Sequence, residues 1–151
     1  MREIATEIDI TASPEKVWAI LLDFSSYPDW NPFIKSVSGL KEAGSKLKVH
    51  LQPPGARGME FESIVLRSVP GREFRWKGHL FMNGLFEGEH SFTIESRGKG
   101  IVRFTQKEKF TGRLVPMMFS VIGAQTLRGF EAMNSALKER AEKTEQVSTA
   151  A

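Results

Sequence analysis

Three polar side chains sit among aromatic residues at strand spacing, and they are where this sequence can do chemistry. In Ile101–Thr111, Val102, Phe104 and Phe110 share one face, and a period of two places Gln106 and Glu108 on that face too. In Leu85–Glu95, Phe86, Phe92 and Ile94 share a face with Gly88 and His90. In Arg72–Leu80, Phe74, Trp76 and Leu80 share one with Gly78. The opposite faces carry Arg75, Lys77, His79, Glu87, Glu89, Arg103, Lys107 and Lys109, which suits solvent. An imidazole near a carboxyl on an apolar wall can move a proton or hold the polar end of a ligand.

The turns decide which of these residues meet. A loop centred on Gly98 sets His90 opposite Gln106 and Phe92 opposite Phe104. A three-residue loop, Met82-Asn83-Gly84, sets Trp76 opposite His90 and Phe74 opposite Phe92. A two-residue Asn83-Gly84 turn would put Trp76 opposite Ser91 and break the parity, so the longer loop is expected. The expected rows are Phe74–Phe92–Phe104, Trp76–His90–Gln106, Gly78–Gly88–Glu108 and Leu80–Phe86–Phe110. The two glycines beside Glu108 leave space or let the sheet bend.

A buried polar group without a partner costs roughly 1–3 kcal/mol, so His90, Gln106 and Glu108 need partners, water or a ligand. One expectation is that they contact the polar end of a mostly apolar ligand. Trp76, Phe74, Met59, Phe61, Phe92, Phe104, Phe119, Ile122 and Phe130 then line the rest of the pocket. The plainer alternative is that the polar groups pair with one another and with residues such as Gln125 or Thr126, and only set the register of a helix. Trp30 and Phe33 are placed either to gate the pocket mouth or to pack a turn.

Other chemistry finds little support. His50 and His79 are lone histidines on strand edges or the outer face. Three histidines on different strands without matched acidic spacing do not make a metal site, so no metal or cofactor is expected. Gly55-Ala56-Arg57-Gly58 is too short for a phosphate loop and lacks a following helix. No Ser-His-Asp arrangement or nucleotide fingerprint is present.

The elements that must position the polar residues read clearly. Arg2–Ile10 alternates as a strand with one buried face. Ser13 is an N-cap and Pro14 a first helical residue for a short helix carrying Val17, Trp18, Leu21 and Leu22. A second short helical turn, Ser26–Trp30, is stopped by Pro32. Strands are expected at Phe33–Ser38, Lys46–Leu51, Met59–Val69, Arg72–Leu80, Leu85–Glu95 and Ile101–Thr111, with Gln52–Gly58 a loop. In Leu114–Lys143, Val115, Phe119, Ile122, Thr126, Phe130, Met133 and Leu137 recur at steps of three and four, a helical stripe. That helix would run roughly 40 Å and needs a long partner surface. Residues 144–151 are expected to fray. Consecutive strands joined by tight turns mean an antiparallel meander, and segregated helices mean a single-domain α+β fold over 1–151.

The stretch ITASPEKVWAILLDFSSYPDWNPFIKSVSG, the glycine-spaced meander and the closing amphipathic helix resemble the START-like superfamily, also called SRPBCC. This superfamily includes lipid-transfer domains, birch-pollen-allergen-like proteins, bacterial polyketide cyclases and subunit-G-type proteins of carbon monoxide dehydrogenase clusters. The resemblance covers nearly the whole chain. It implies a helix-grip: a seven-stranded curved antiparallel sheet around the C-terminal helix, with two short helices after the first strand and a hydrophobic cavity inside.

Composition agrees with a soluble domain. The 151 residues are 40% hydrophobic and 26% charged. Eleven Phe and six Met against one Tyr suit a greasy interior. The net charge of +3 is spread along the chain, which argues against a nucleic-acid face. Cysteine is absent, which excludes disulfides and thiol catalysis and is typical of a reducing compartment. MREIATEIDI lacks the apolar centre of a signal peptide, and no run is long enough to span a bilayer, so a cytoplasmic location is expected. Three functions remain: binding or carrying a hydrophobic small molecule (a lipid, isoprenoid or polyketide-like compound), a polyketide cyclase or dehydratase with His90 as acid/base, or a protein-interaction module. The first is favoured, because one candidate base is thin support for an enzyme.

Overall fold

Alternation builds the sheet, and a single apolar stripe builds the helix that closes it. The computed structural model describes residues 1–150 apart from Phe81 and Asn83, with side chains described up to Lys143. Strand β1 (Arg2–Ile10) is followed by α1 (Pro14–Leu22), a 3₁₀ turn (Phe24–Ser26) and α2 (Tyr27–Trp30). Strands β2 (Ile34–Gly39), β3 (Lys46–Leu51), β4 (Met59–Val69), β5 (Glu73–Leu80), β6 (Phe86–Ser96) and β7 (Val102–Thr111) come next, and α3 (Val115–Ala150) ends the chain. The α3 backbone stays helical past Lys143; the fraying expected for 144–151 concerns residues whose side chains lie outside the described ones.

All seven strands form one antiparallel sheet in the order β1-β7-β6-β5-β4-β3-β2. The first strand therefore pairs with the last, and the hairpins between β2 and β7 fill the sheet in sequence. This is the curved α+β helix-grip that the resemblance implied.

Local chemistry explains the connections. The Ser13 side chain accepts the Lys16 N–H at 3.1 Å, with Pro14 in the first turn, so α1 starts where its free N–H groups are best satisfied. Asn31 Oδ1 accepts from the backbone of Phe33 and Ile34 at 3.0 and 2.9 Å, which turns the chain from α2 into β2. The α3 stripe buries Val115, Thr126, Phe130, Met133 and Leu137, as its spacing required, and adds Ala141. Gly129 lies on the same face: a Cβ there would stand 2.3 Å from the ring of Phe33. The missing side chain lets Phe33 dock directly on the helix. Lys138 Nζ donates to the Asp9 carbonyl at 2.8 Å, and Glu142 accepts the Thr11 N–H at 3.0 Å, tying the far half of α3 to the end of β1.

One register differs from expectation. Strands β5 and β6 pair as expected, Trp76 with His90 and Gly78 with Gly88. Strands β6 and β7 pair two residues further on: His90 faces Glu108, Phe92 faces Gln106, Ile94 faces Phe104 and Gly88 faces Phe110. The turn closes around Lys99, not Gly98. Arg97 N–H donates to the Ile101 carbonyl at 2.9 Å, and Gly98 and Gly100 both take positive φ, 134° and 68°. Both glycines are used up in the turn, since only they adopt that backbone without strain. A shift of two keeps every side chain on its face, so inward residues stay inward while their neighbours change.

Candidate functional site

Between the inner faces of β4 to β7 and the first half of α3 lies an open-mouthed cavity of about 80 Å³. Trp76, Gly78, Gly88, Glu108 and Phe110 form its floor, and Ile122, Gln125 and Thr126 of α3 its roof. Phe33, Phe61, Leu80 and Phe86 close the sides, with Leu51, Pro53 and Met59 also on the wall. The wall is mostly apolar; its polar side chains are Gln125, Thr126, the exposed His79 and Glu108, the buried acid among them.

Glu108 points inward because β7 alternates, with Val102, Phe104, Gln106 and Phe110 on the same buried face. Its carboxyl lies over bare backbone: Oε2 is 2.7 Å from where a Cβ of Gly88 would be. Burial, with the nearby Glu89 charge, pushes its pKa up to about 8. At neutral pH the group is mostly a neutral carboxylic acid, able to donate its O–H.

His90 stands opposite Glu108 in the register, with Nδ1 3.6 Å from Glu108 Oε1. It does not reach the cavity. Its ring stacks on Phe92 at 4.3 Å, and Phe130 and Trp76 stand 4.9 and 5.2 Å away. Burial pulls its pKa down to about 4, partly offset by Gln106, so the ring is neutral at pH 7. Nε2 donates to Gln106 Oε1 at 3.0 Å, leaving Nδ1 as an acceptor towards Glu108.

The chain of bonds continues behind the wall. Gln106 Nε2 donates to Asn134 Oδ1 at 2.7 Å and, more weakly, to the Phe130 carbonyl at 3.5 Å. Asn134 Nδ2 donates to Thr6 Oγ1 at 3.0 Å. This ladder joins β1, β7, β6 and α3, and it fixes the helix register. The plainer alternative thus describes Gln106, though its helix partner is Asn134 and not Gln125 or Thr126. Gln106 still reaches His90 despite the shifted pairing, because diagonal neighbours on one face lie within reach of a long side chain.

The residues expected to line one pocket separate into layers. Trp76, Glu108, Met59, Phe61 and Ile122 are on the wall. His90 and Gln106 lie behind it. Phe74, Phe92, Phe104 and Phe130 belong to the main core beneath Trp76. Phe119 packs with Phe86, Phe110 and Val115 in a smaller cluster near the start of α3. Trp30 lies edge-on to Tyr27 at 5.3 Å, packing its turn, whereas Phe33 is on the wall. The wall residues absent from the expectation divide by cause. Gly78, Leu80, Gly88, Phe86 and Phe110 follow from strand parity. Leu51 follows likewise from the alternation of Lys46–Leu51, whereas Pro53 is in a loop, where no periodicity points to it, and His79 has the outward parity of β5.

Among the described residues, no group of three or more His, Asp or Glu is placed to hold a metal ion. No described helix is long and apolar enough to cross a membrane.

Similar structures share this architecture. The aromatase/cyclase ZhuI of Streptomyces sp. R1128 superposes with a TM-score of 0.77 at 17% identity, over 94% of each chain. Norcoclaurine synthase of Thalictrum flavum gives 0.73 at 14%, over 95% of this chain and 96% of that one. A START superfamily protein of Mycobacterium smegmatis gives 0.71 at 21%, over 94% and 98%. At these identities the likeness is one of fold. No curated protein matches the chain in sequence. Residues 1–142 match the family described as polyketide cyclase/dehydrase and lipid transport. With that match over 142 of its residues, the chain belongs to the family described as polyketide cyclase/dehydrase and lipid transport.

Proposed function

We propose that the protein binds a hydrophobic small molecule in the groove between sheet and α3, with the Glu108 carboxyl meeting its polar end. One observation carries this reading: a mostly neutral, buried acid stands on a mostly apolar, open-mouthed wall. A carboxyl on a mostly apolar wall is costly unless something bonds it, and a ligand oxygen can accept the Glu108 O–H. The family description, which joins cyclase chemistry to lipid transport, supports a ligand of the same kind.

Size limits how the ligand sits. A dry cavity of about 150 Å³ holds one benzene ring, so about 80 Å³ takes a chain end, and a ring only once a wall residue moves. A larger lipid, isoprenoid or polyketide-like molecule extends past Met59, Leu51 and Pro53, or moves Phe61 and Ile122 aside. The test is native mass spectrometry of protein purified from its own host. A retained apolar compound, lost in Glu108→Leu, supports the reading. Clean protein that also rejects fluorescent lipid probes overturns it.

Cyclase or dehydratase chemistry is the second reading, and Glu108 favours it over His90. An acid with a pKa near 8 can protonate a leaving hydroxyl or a carbonyl at neutral pH. His90 sits behind the wall and acts on a ligand only through Glu108. Turnover that disappears in Glu108→Gln while ligand retention survives would select this reading over simple carriage.

A further inference from the structure

We infer that the cavity floor carries a site for a neutral ligand oxygen, a ketone or an alcohol, set over Gly78 and Gly88 between the Ser63 hydroxyl and the Glu108 carboxyl. This deepens the groove-binding reading and rests on it. The inference begins from Ser63. Its side chain is 2% exposed, and its Oγ has no hydrogen-bond partner. Strand parity turns Ser63 inward with Val65, and Ser63 pairs with Gly78 in the register. Its Oγ lies 2.6 Å from where a Cβ of Gly78 would be.

Glu108 makes a similar approach from a diagonal position, Phe110 being the register partner of Gly88. Its Oε2 lies 2.7 Å from the equivalent point on Gly88, and Gly78 and Gly88 are directly paired. Two glycines side by side therefore leave a strip of sheet with no side chains of its own, covered by the Ser63 hydroxyl and the Phe61 ring at one end and by the Glu108 carboxyl at the other. Any other residue pair would fill the strip with side chains. Trp76 and His90 make the next row on one side, and Leu80 and Phe86 the next row on the other. The strip is therefore the polar break in an aromatic and aliphatic surface.

Phe61 determines access, because Ser63 lies behind it and is not itself on the cavity wall. Its ring carbons stand 3.0 and 3.1 Å from the same bare point on Gly78, so the ring and Ser63 converge there. Phe61 is also on the cavity wall and only half-buried. A ligand that displaces this ring gains the Ser63 hydroxyl, which otherwise remains unpaired. Ser63 can donate or accept, and a neutral Glu108 donates. The strip thus fits an oxygen that carries no charge.

The test uses two probes that differ by one exchange of O for CH₂, acetophenone and α-methylstyrene, with binding followed by titration calorimetry or by shifts of the Trp indole NMR signals. Ser63→Ala and Glu108→Leu should each weaken acetophenone about three- to tenfold, the loss of one neutral hydrogen bond, and leave α-methylstyrene within about twofold. Ser63→Ala should not lower the melting temperature, because the hydroxyl has no partner to lose. If both probes bind and shift alike in the variants, or neither shifts, the oxygen site is overturned and the groove reading survives. If neither probe binds the unmodified protein, the groove reading itself falls.

Discussion

Nδ1 of His90 lies 3.6 Å from Oε1 of Glu108, yet of the two only Glu108 reaches the cavity. The pair divides its work by position. His90 is held from behind by Gln106 and by aromatic rings, and it presents a single acceptor to the carboxyl. Glu108 faces the space where a ligand can be. Burial drives the two pKa values in opposite directions, so both groups are uncharged near neutrality.

The pH profile of stability should show this. Glu108 rises from its ordinary 4.5 to about 8, so its contribution is full below pH 4.5 and is lost as pH climbs towards 8. His90 falls from 6.5 to about 4, so its contribution is full above 6.5 and is lost as pH drops towards 4. Between 4.5 and 6.5 the two slopes oppose each other. Above 6.5 only Glu108 changes, and unfolding free energy should fall by about 2 kcal/mol up to pH 8, or about 4–8 °C in Tm. Thermal melts of Glu108→Gln should lose this drop; an equal drop in the variant refutes the assignment.

Gly88→Ala should close the site without breaking the fold. The added methyl would stand 2.7 Å from Glu108 Oε2, at the end of a side chain that can swing away, and the φ of Gly88 is not positive. The protein should stay folded by circular dichroism while its capacity for hydrophobic probes falls at least about tenfold, a change of about 1.4 kcal/mol in binding. Unchanged binding would place the ligand elsewhere.

Asn134 and Gln106 should behave as one unit. Asn134→Leu leaves the Gln106 amide without its short acceptor, at a cost of about 1–3 kcal/mol by urea unfolding. Gln106→Leu should cost a similar amount. The double variant should cost less than the sum by about 0.5 kcal/mol or more. Strict additivity would mean that the ladder does not act through this bond.

Gly129→Ala sets helix propensity against packing. Alanine in place of glycine favours a helix by about 1 kcal/mol. Here its Cβ would meet the Phe33 ring at 2.3 Å, and overpacking of a core costs about 1–3 kcal/mol. The variant should be destabilised overall in a denaturant titration. A stabilised variant would show that Phe33 can move freely away from α3.

Much of the fold was legible because its signals are local and periodic. Arg2–Ile10, Lys46–Leu51 and Met59–Val69 have the same ends in sequence and structure, since alternation stops where proline, glycine or polar turn residues begin. The inward faces of β5, β6 and β7 followed from parity alone, and so did the burial of Trp76, His90, Gln106 and Glu108. The α3 stripe was equally plain, from Val115 to Leu137.

Which neighbour each inward residue meets was a different matter. Gly98 and Gly100 both suit a turn, and composition does not say whether it closes around Gly98 or Lys99; the Arg97–Ile101 hydrogen bond decides. That two-residue difference moved Glu108 beside His90. The depth of each residue was also invisible, because periodicity names a face and not a distance from the helix above it. Phe74 and Phe104 lie deep, while Phe33 and Pro53 reach the cavity from segments with no period to read. The amino-acid order thus determined the strands, their faces and the closing helix. The tertiary structure alone decided that Glu108 faces the cavity and that His90 stands behind it, because that depends on how far the sheet curves and where α3 comes to rest against it.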